Sequence, residues 1–134
     1  MVTRKPKHIL IAPLDWGLGH TTRCIPIIRH VLRLGHVPLF AGNASQRSFI
    51  EETFGAIDNI HLDGYQITYS AWNRICQAGL LSQLPRITKC MAAERRWLQH
   101  LCSERRVDGI ISDNRYGLYH DPIPSVILTH QLQV

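Results

Sequence analysis

The strongest constraint on the fold is an uninterrupted apolar run, His-Ile-Leu-Ile-Ala-Pro from His8 to Pro13, that leads through Leu14-Asp15-Trp16 into the glycine turn Gly17-Leu18-Gly19 and then His20-Thr21-Thr22. A strand with one face in water alternates apolar and polar residues. This one does not, so both faces must be covered, the condition of a strand inside a parallel sheet with helices on either side. Beyond the turn the period changes. Cys24, Ile27, Ile28, Val31 and Leu32 recur at helical spacing from a start near Thr22, and Gly35 supplies the residue that ends the helix.

The alternation then repeats. Val37 to Gly42 reads as a second strand, Asn43 or Ser45 as the cap of a short helix ending near Phe54, and Asn59 to Leu62 as a third strand. Asp63 to Ser70 reads as loop, followed by a helical stretch broken at Pro85. Ile87, Cys90, Met91, Leu98, Leu101 and Cys102 then lay an apolar stripe along a long helix to about Arg106. Val107 to Ser112 and Ser125 to Thr129 are two further strands, separated by the polar segment Asp113 to Pro124. The expectation is one α/β domain over residues 1–134, an open, doubly wound, Rossmann-like parallel sheet with right-handed crossovers and the order 3-2-1-4-5. No helix follows the last strand to cover the sheet there, so the reading is of one part of a larger enzyme.

Composition removes several classes. A chain of 134 residues with 45% apolar and 19% charged side chains can bury a core, and disorder is not expected. Cys24, Cys76, Cys90 and Cys102 form no C-x-x-C pair, which argues against a zinc ribbon or a thioredoxin-like site and for free thiols in a reducing compartment. The first apolar run is too short for a signal peptide or a membrane span, so a cytoplasmic chain without a bound metal is expected. The net charge of +5 is concentrated in Trp72 to Arg106, where Arg74, Arg86, Lys89, Arg95, Arg96, Arg105 and Arg106 face only Glu94 and Glu104. With Trp72, Leu80, Leu81 and Trp97 this window reads either as peripheral contact with an anionic membrane or as a solvated helix face. Nucleic acid is not an expected partner, since the charge is joined to no binding motif.

Ligands of open α/β sheets bind beyond the carboxyl ends of the strands, where the strand order reverses. In the order 3-2-1-4-5 that point lies between strands one and four, so the loops Leu14 to Thr21 and Asp113 to His120 should meet and bring His20 opposite Asp113. An imidazole held by a carboxylate has a fixed tautomer and a stabilised cation, the properties of a general base near neutral pH. Gly17 and Gly19 would let the backbone approach a ligand, and the helix start would direct N–H groups at an anion such as a phosphate. Asp15, Trp16, Thr21, Asn114 and Arg115 complete the expected ligand contacts. Tyr116, Tyr65 and Tyr69 are further loop candidates, and His130 is an alternative base. The plainer readings are a tight connection at the glycines, a turn cap at Asp113 and loop packing elsewhere.

Gly17-Leu18-Gly19-His20-Thr21-Thr22-Arg23 after the first strand, Leu34-Gly35-His36 before the second and Ile110-Ile111-Ser112-Asp113 at the end of the fourth resemble the N-terminal half of GT-B fold glycosyltransferases, particularly families 1 and 28. The resemblance implies an acceptor-binding domain in which His20 deprotonates the acceptor hydroxyl and Asp113 orients it. It also implies inverting transfer from a nucleotide sugar, most simply a UDP-sugar, to a sugar or lipid-linked acceptor, without a required metal. The donor site would lie in a C-terminal domain supplied in cis or in trans, so the chain alone would be inactive. Two alternatives stay open: a sugar-nucleotide epimerase of the same fold, and a non-catalytic module that holds a phosphate-bearing ligand at Gly17 to Thr22.

Overall fold

A computed structural model describes residues 4–64 and 84–129. The elements are β1 (His8–Pro13), α1 (Leu18–Arg33), β2 (Val37–Gly42), α2 (Ala44–Phe54), β3 (Asp58–His61), α3 (Leu84–Glu104), β4 (Gly109–Asp113) and β5 (Ser125–Leu128). The strands form one five-stranded sheet in the order β3-β2-β1-β4-β5, and every pairing is parallel. This is the topology expected from the sequence, with β1 and β4 adjacent at the reversal.

The apolar strands divide their side chains between two cores. Leu10 and Ala12 of β1 and Leu39 and Ala41 of β2 join Leu98 and Leu101 of α3, whereas Ile11 and Phe40 join Cys24, Ile28 and Val31 of α1 and Ile50 of α2. The absence of polar alternation in β1 and β2 therefore has the expected cause: each successive residue meets a different helical layer. Each fully buried leucine or isoleucine contributes about 1.5–3 kcal/mol. β5 is the edge strand, and among the described residues Val126, Ile127 and Leu128 remain exposed.

Local chemistry sets the helix ends. At the C-terminus of α1, Gly35 has φ +75°, and the amides of Gly35 and His36 donate to the carbonyls of Leu32 and Val31, a Schellman closure. Asn43 caps α2 through a reciprocal box with Gln46: the Gln46 amide donates to Asn43 Oδ1 at 2.9 Å and the Asn43 amide to Gln46 Oε1 at 3.0 Å.

Several expected boundaries are corrected. α1 starts at Leu18 rather than near Thr22, because Gly17, with φ +71°, makes the turn alone while Gly19 is already helical. Pro26 lies inside α1, where it withholds one backbone donor without ending the helix. The helical stretch expected before Pro85 lies outside the described residues, and Pro85 itself stands at the start of a helix. It occupies the first turn of α3, where its missing N–H is of no consequence. Asp113 closes β4 instead of opening the following loop, and β3, β4 and β5 differ by a residue or two from their expected limits. The expectations for Tyr65, Tyr69, Trp72, Leu80, Leu81 and His130 lie outside the described residues.

Candidate active site

Asp113 is fixed by the sheet. It stands in register with Pro13, and its carbonyl accepts from the amide of Leu14 at 2.9 Å, so the end of β4 is tied to the exit of β1. His20 stands in the first turn of α1, three residues beyond Gly17, which returns the chain over that exit. The two side chains meet: His20 Nδ1 lies 2.9 Å from Asp113 Oδ2, with the carboxylate 3% and the imidazole 13% exposed.

A third residue completes the cluster. Arg23 Nη2 donates to Asp113 Oδ2 at 2.8 Å and to Oδ1 at 3.0 Å, and it also lies 2.8 Å from His20 Nδ1. Asn114, held at φ +56°, donates from Nδ2 to Asp113 Oδ1 at 3.2 Å. A ring nitrogen offers either a proton or a lone pair. With its proton on Nδ1, His20 donates to the carboxylate and Nε2 is the nitrogen that takes up a proton. With its lone pair on Nδ1, it accepts from Arg23 and the carboxylate contact is lost. The negative charge is felt one turn further on, where burial, followed by the proximity of Asp113, pushes the Cys24 thiol up to about 12 against a partial offset from Arg23.

Thr21 and Arg115, expected among the ligand contacts, are enclosed. Thr21 is fully buried and its hydroxyl accepts from Gln46 Nε2 at 3.1 Å, while the same nitrogen donates to the carbonyl of Leu14 at 3.0 Å. The physical reason is helix phase, since Thr21 continues the buried stripe of Cys24, Ile28 and Val31. Arg115 has no exposed surface and pairs with Glu94 at 2.9 Å. Asp15 is turned onto the loop after β3: a Cβ on Gly64 would lie 1.5 Å from Asp15 Oδ2. Gly17 and Gly19 have open space where a Cβ would stand, so at Gly17 the positive φ is the constraint and at Gly19 there is none. Trp16 is half-buried between Asp15 and Gly17, and Tyr116 is exposed in the loop after β4.

Three residues of the basic window, one on α3 and two just past its end, are engaged within the fold. Arg105 pairs with Asp58, Arg106 with Asp108, and Arg95 lies over the Tyr119 ring near Asp121. Trp97 is partly buried, packs on the core and donates to the carbonyl of His61. Among the described residues no helix is long and apolar enough to cross a membrane.

The part of Arg23 in the cluster and the pairing of Arg115 with Glu94 are what sequence reasoning missed. Arg23 carried a signal, because a residue three positions after His20 lies on the same helical face.

No family model matches the sequence, and a search of curated proteins returns no match. Solved structures do match. The glycosyltransferase of kitacinnamycin superposes with a TM-score of 0.68 at 18% identity over 92% of this chain. LpCGTa in complex with UDP gives 0.59 at 14% identity over 92%. A UDP-glucosyltransferase from Polygonum tinctorium capable of glucosylating indoxyl, in complex with 3,4-dichloroaniline, gives 0.53 at 22% identity over 95%. In each case the chain spans 30% of the solved protein's length. The five parallel strands and their flanking helices therefore have the fold of one Rossmann-like part of a GT-B glycosyltransferase.

Proposed function

We propose that the chain is the acceptor-binding part of an inverting glycosyltransferase that uses a nucleotide sugar, most simply a UDP-sugar, with the donor site in a further domain. The observation that carries the reading is the 2.9 Å contact between His20 Nδ1 and Asp113 Oδ2 at the reversal between β1 and β4. With Nδ1–H donated to the carboxylate, Nε2 removes the proton of an acceptor hydroxyl as its oxygen attacks the anomeric carbon. The bond to the leaving diphosphate breaks, its electron pair stays with the diphosphate, and the anomeric configuration inverts. Asp113 holds the imidazole orientation and stabilises the imidazolium. A base so placed contributes about 10²- to 10⁴-fold in rate.

The test is transfer by the full-length protein from UDP-glucose and related sugar nucleotides to a panel of sugar and lipid-linked hydroxyl acceptors, followed as nucleotide release. His20→Ala is expected to lose transfer by about 10²- to 10⁴-fold. A variant with the parent rate overturns the assignment of the base.

One observation favours a second reading. Gly17 caps α1 with no side-chain hydrogen bond, and the first turn holds no acidic residue, as in a module that offers its backbone N–H groups to a phosphate. Such a module would bind its ligand unchanged after His20→Ala. An epimerase of the same fold would convert a sugar nucleotide to its epimer with no acceptor present, an arm included in the same assay.

A further inference from the structure

Beneath the candidate site lies a buried ion pair that the proposed chemistry does not use. Arg115, two residues beyond Asp113, is fully buried, and Glu94 of α3 is 6% exposed. Arg115 Nε donates to the carbonyl of Pro13 at 2.8 Å, and Nη1 donates to the carbonyl of Asp63 at 3.2 Å and to Glu94 Oε1 at 2.9 Å. The other carboxylate oxygen, Oε2, accepts from the amide of Gly117 at 3.1 Å. The loop seats tightly there, since a Cβ on Gly117 would lie 2.6 Å from the carbonyl of Met91 and 2.8 Å from Glu94. One guanidinium thus ties the exits of β1 and β3 to the loop after β4, and Glu94 fastens that loop to α3.

Burying a charge pair costs more than filling the same space with apolar side chains, so stability alone does not account for it. Its placement does. Asp113, at the carboxyl end of the sheet, reaches His20 and Arg23 on α1, whereas Arg115 reaches the opposite layer, to Glu94 on α3. Between them Asn114 holds a left-handed turn at φ +56°, which L side chains rarely adopt. We infer that Glu94 and Arg115 are positioning residues: they hold this pivot, and the exit of β1 that leads to His20, so that the imidazole and the Asp113 carboxylate stay in hydrogen-bond register. The inference rests on the proposed function for its catalytic consequence but not for its geometry.

The experiment compares the full-length protein with the double variant Glu94→Leu/Arg115→Met and with Glu94→Gln. The double variant fills the space with apolar groups, an exchange that preserves or raises stability elsewhere, while removing the ties to Pro13, Asp63 and Gly117. Two quantities are read: the low-field proton resonance of His20 Nδ1–H, assigned by its absence in His20→Ala, and kcat and KM with a sugar nucleotide. Expected in the double variant is loss or a marked shift of that resonance, with kcat lower by about 10- to 100-fold and donor KM within about twofold. A folded double variant with the parent resonance and parent kcat overturns the inference. If the double variant does not fold, Glu94→Gln is read in its place by the same criteria. Should His20→Ala keep full activity, the catalytic reading fails while the resonance still decides the positioning role.

Discussion

Replacing Asp113 by asparagine tests the tautomer on which the proposed base depends. The carboxylate receives Arg23 Nη2 at both oxygens and Asn114 Nδ2 at Oδ1, while His20 Nδ1 faces Oδ2. Arginine and the asparagine amide nitrogen only donate. In Asp113→Asn one carbonyl oxygen remains; with it at the Oδ1 position, where Arg23 and Asn114 both donate, the new NH₂ group is turned toward His20. Facing a donor, Nδ1 must present its lone pair, and the ring proton moves to Nε2, the atom that has to take the acceptor proton. The fold is retained, since the substitution is isosteric, but the base is in the wrong tautomer. The loss is that of a general base, about 10²- to 10⁴-fold in kcat, equivalent to roughly 2.7–5.4 kcal/mol on the barrier. Transfer from a sugar nucleotide by the full-length protein gives kcat and donor KM, and ¹⁵N shifts of the His20 ring report the tautomer directly. Asp113→Asn with kcat within threefold of the parent, or with the proton still on Nδ1, refutes the reasoning.

Two further predictions concern the framework. Gly64→Ala puts a Cβ 1.5 Å from Asp15 Oδ2 and 2.1 Å from its Cγ, so the whole Asp15 side chain must move. The expected cost is about 1–3 kcal/mol in urea unfolding, and most of it should vanish in an Asp15→Gly background, which removes the nearest atoms. Additive effects in that cycle would show that the two loops are not in contact. Cys24 has its thiol raised from 9.0 to about 12, chiefly by burial, so the folded state favours the protonated form. The stability this contributes is complete below the unfolded value near pH 9 and is lost as pH rises toward 12, by about 1.4 kcal/mol per pH unit. Urea unfolding between pH 8 and pH 11 should show this slope in the parent and lack it in Cys24→Ala. Parallel pH profiles would count against the burial account.

The sheet was legible because β1 and β2 are apolar without alternation, a pattern that only coverage on both faces explains, and because Gly17, Gly35 and Asn43 mark turns by their own backbone chemistry. The encounter of His20 with Asp113 followed from strand order alone. The burial of Thr21 is hidden when the helix is started near Thr22. With Leu18 as its first residue, Thr21 falls into the phase of Cys24, Ile28 and Val31 and turns inward. The burial of Arg115 is hidden for a different reason. A loop arginine is ordinarily exposed, and its burial depends on Glu94, which sits 21 positions upstream on a helix packed against the other face. No local pattern encodes such a partner.

The electrostatics of the cluster bear on the choice between a base and an anion-binding module. A helix start that serves a phosphate benefits from positive charge alone. Here a carboxylate only 3% exposed stands against the first turn, 2.9 Å from the imidazole, and Arg23 answers that charge instead of adding a net positive one. An incoming phosphate would meet little beyond the backbone N–H groups, with a nearby negative charge opposing it. The imidazole, by contrast, meets the carboxylate directly, the contact that fixes its ring tautomer. Arg23 makes that contact conditional: its guanidinium shares Oδ2 with His20, so the carboxylate serves His20 alone only when Arg23 gives up that oxygen. At 44% exposure the arginine can be solvated as it does so, at a cost far below that of moving a buried charge. The arrangement therefore favours the proposed base over a module that holds an anion at rest.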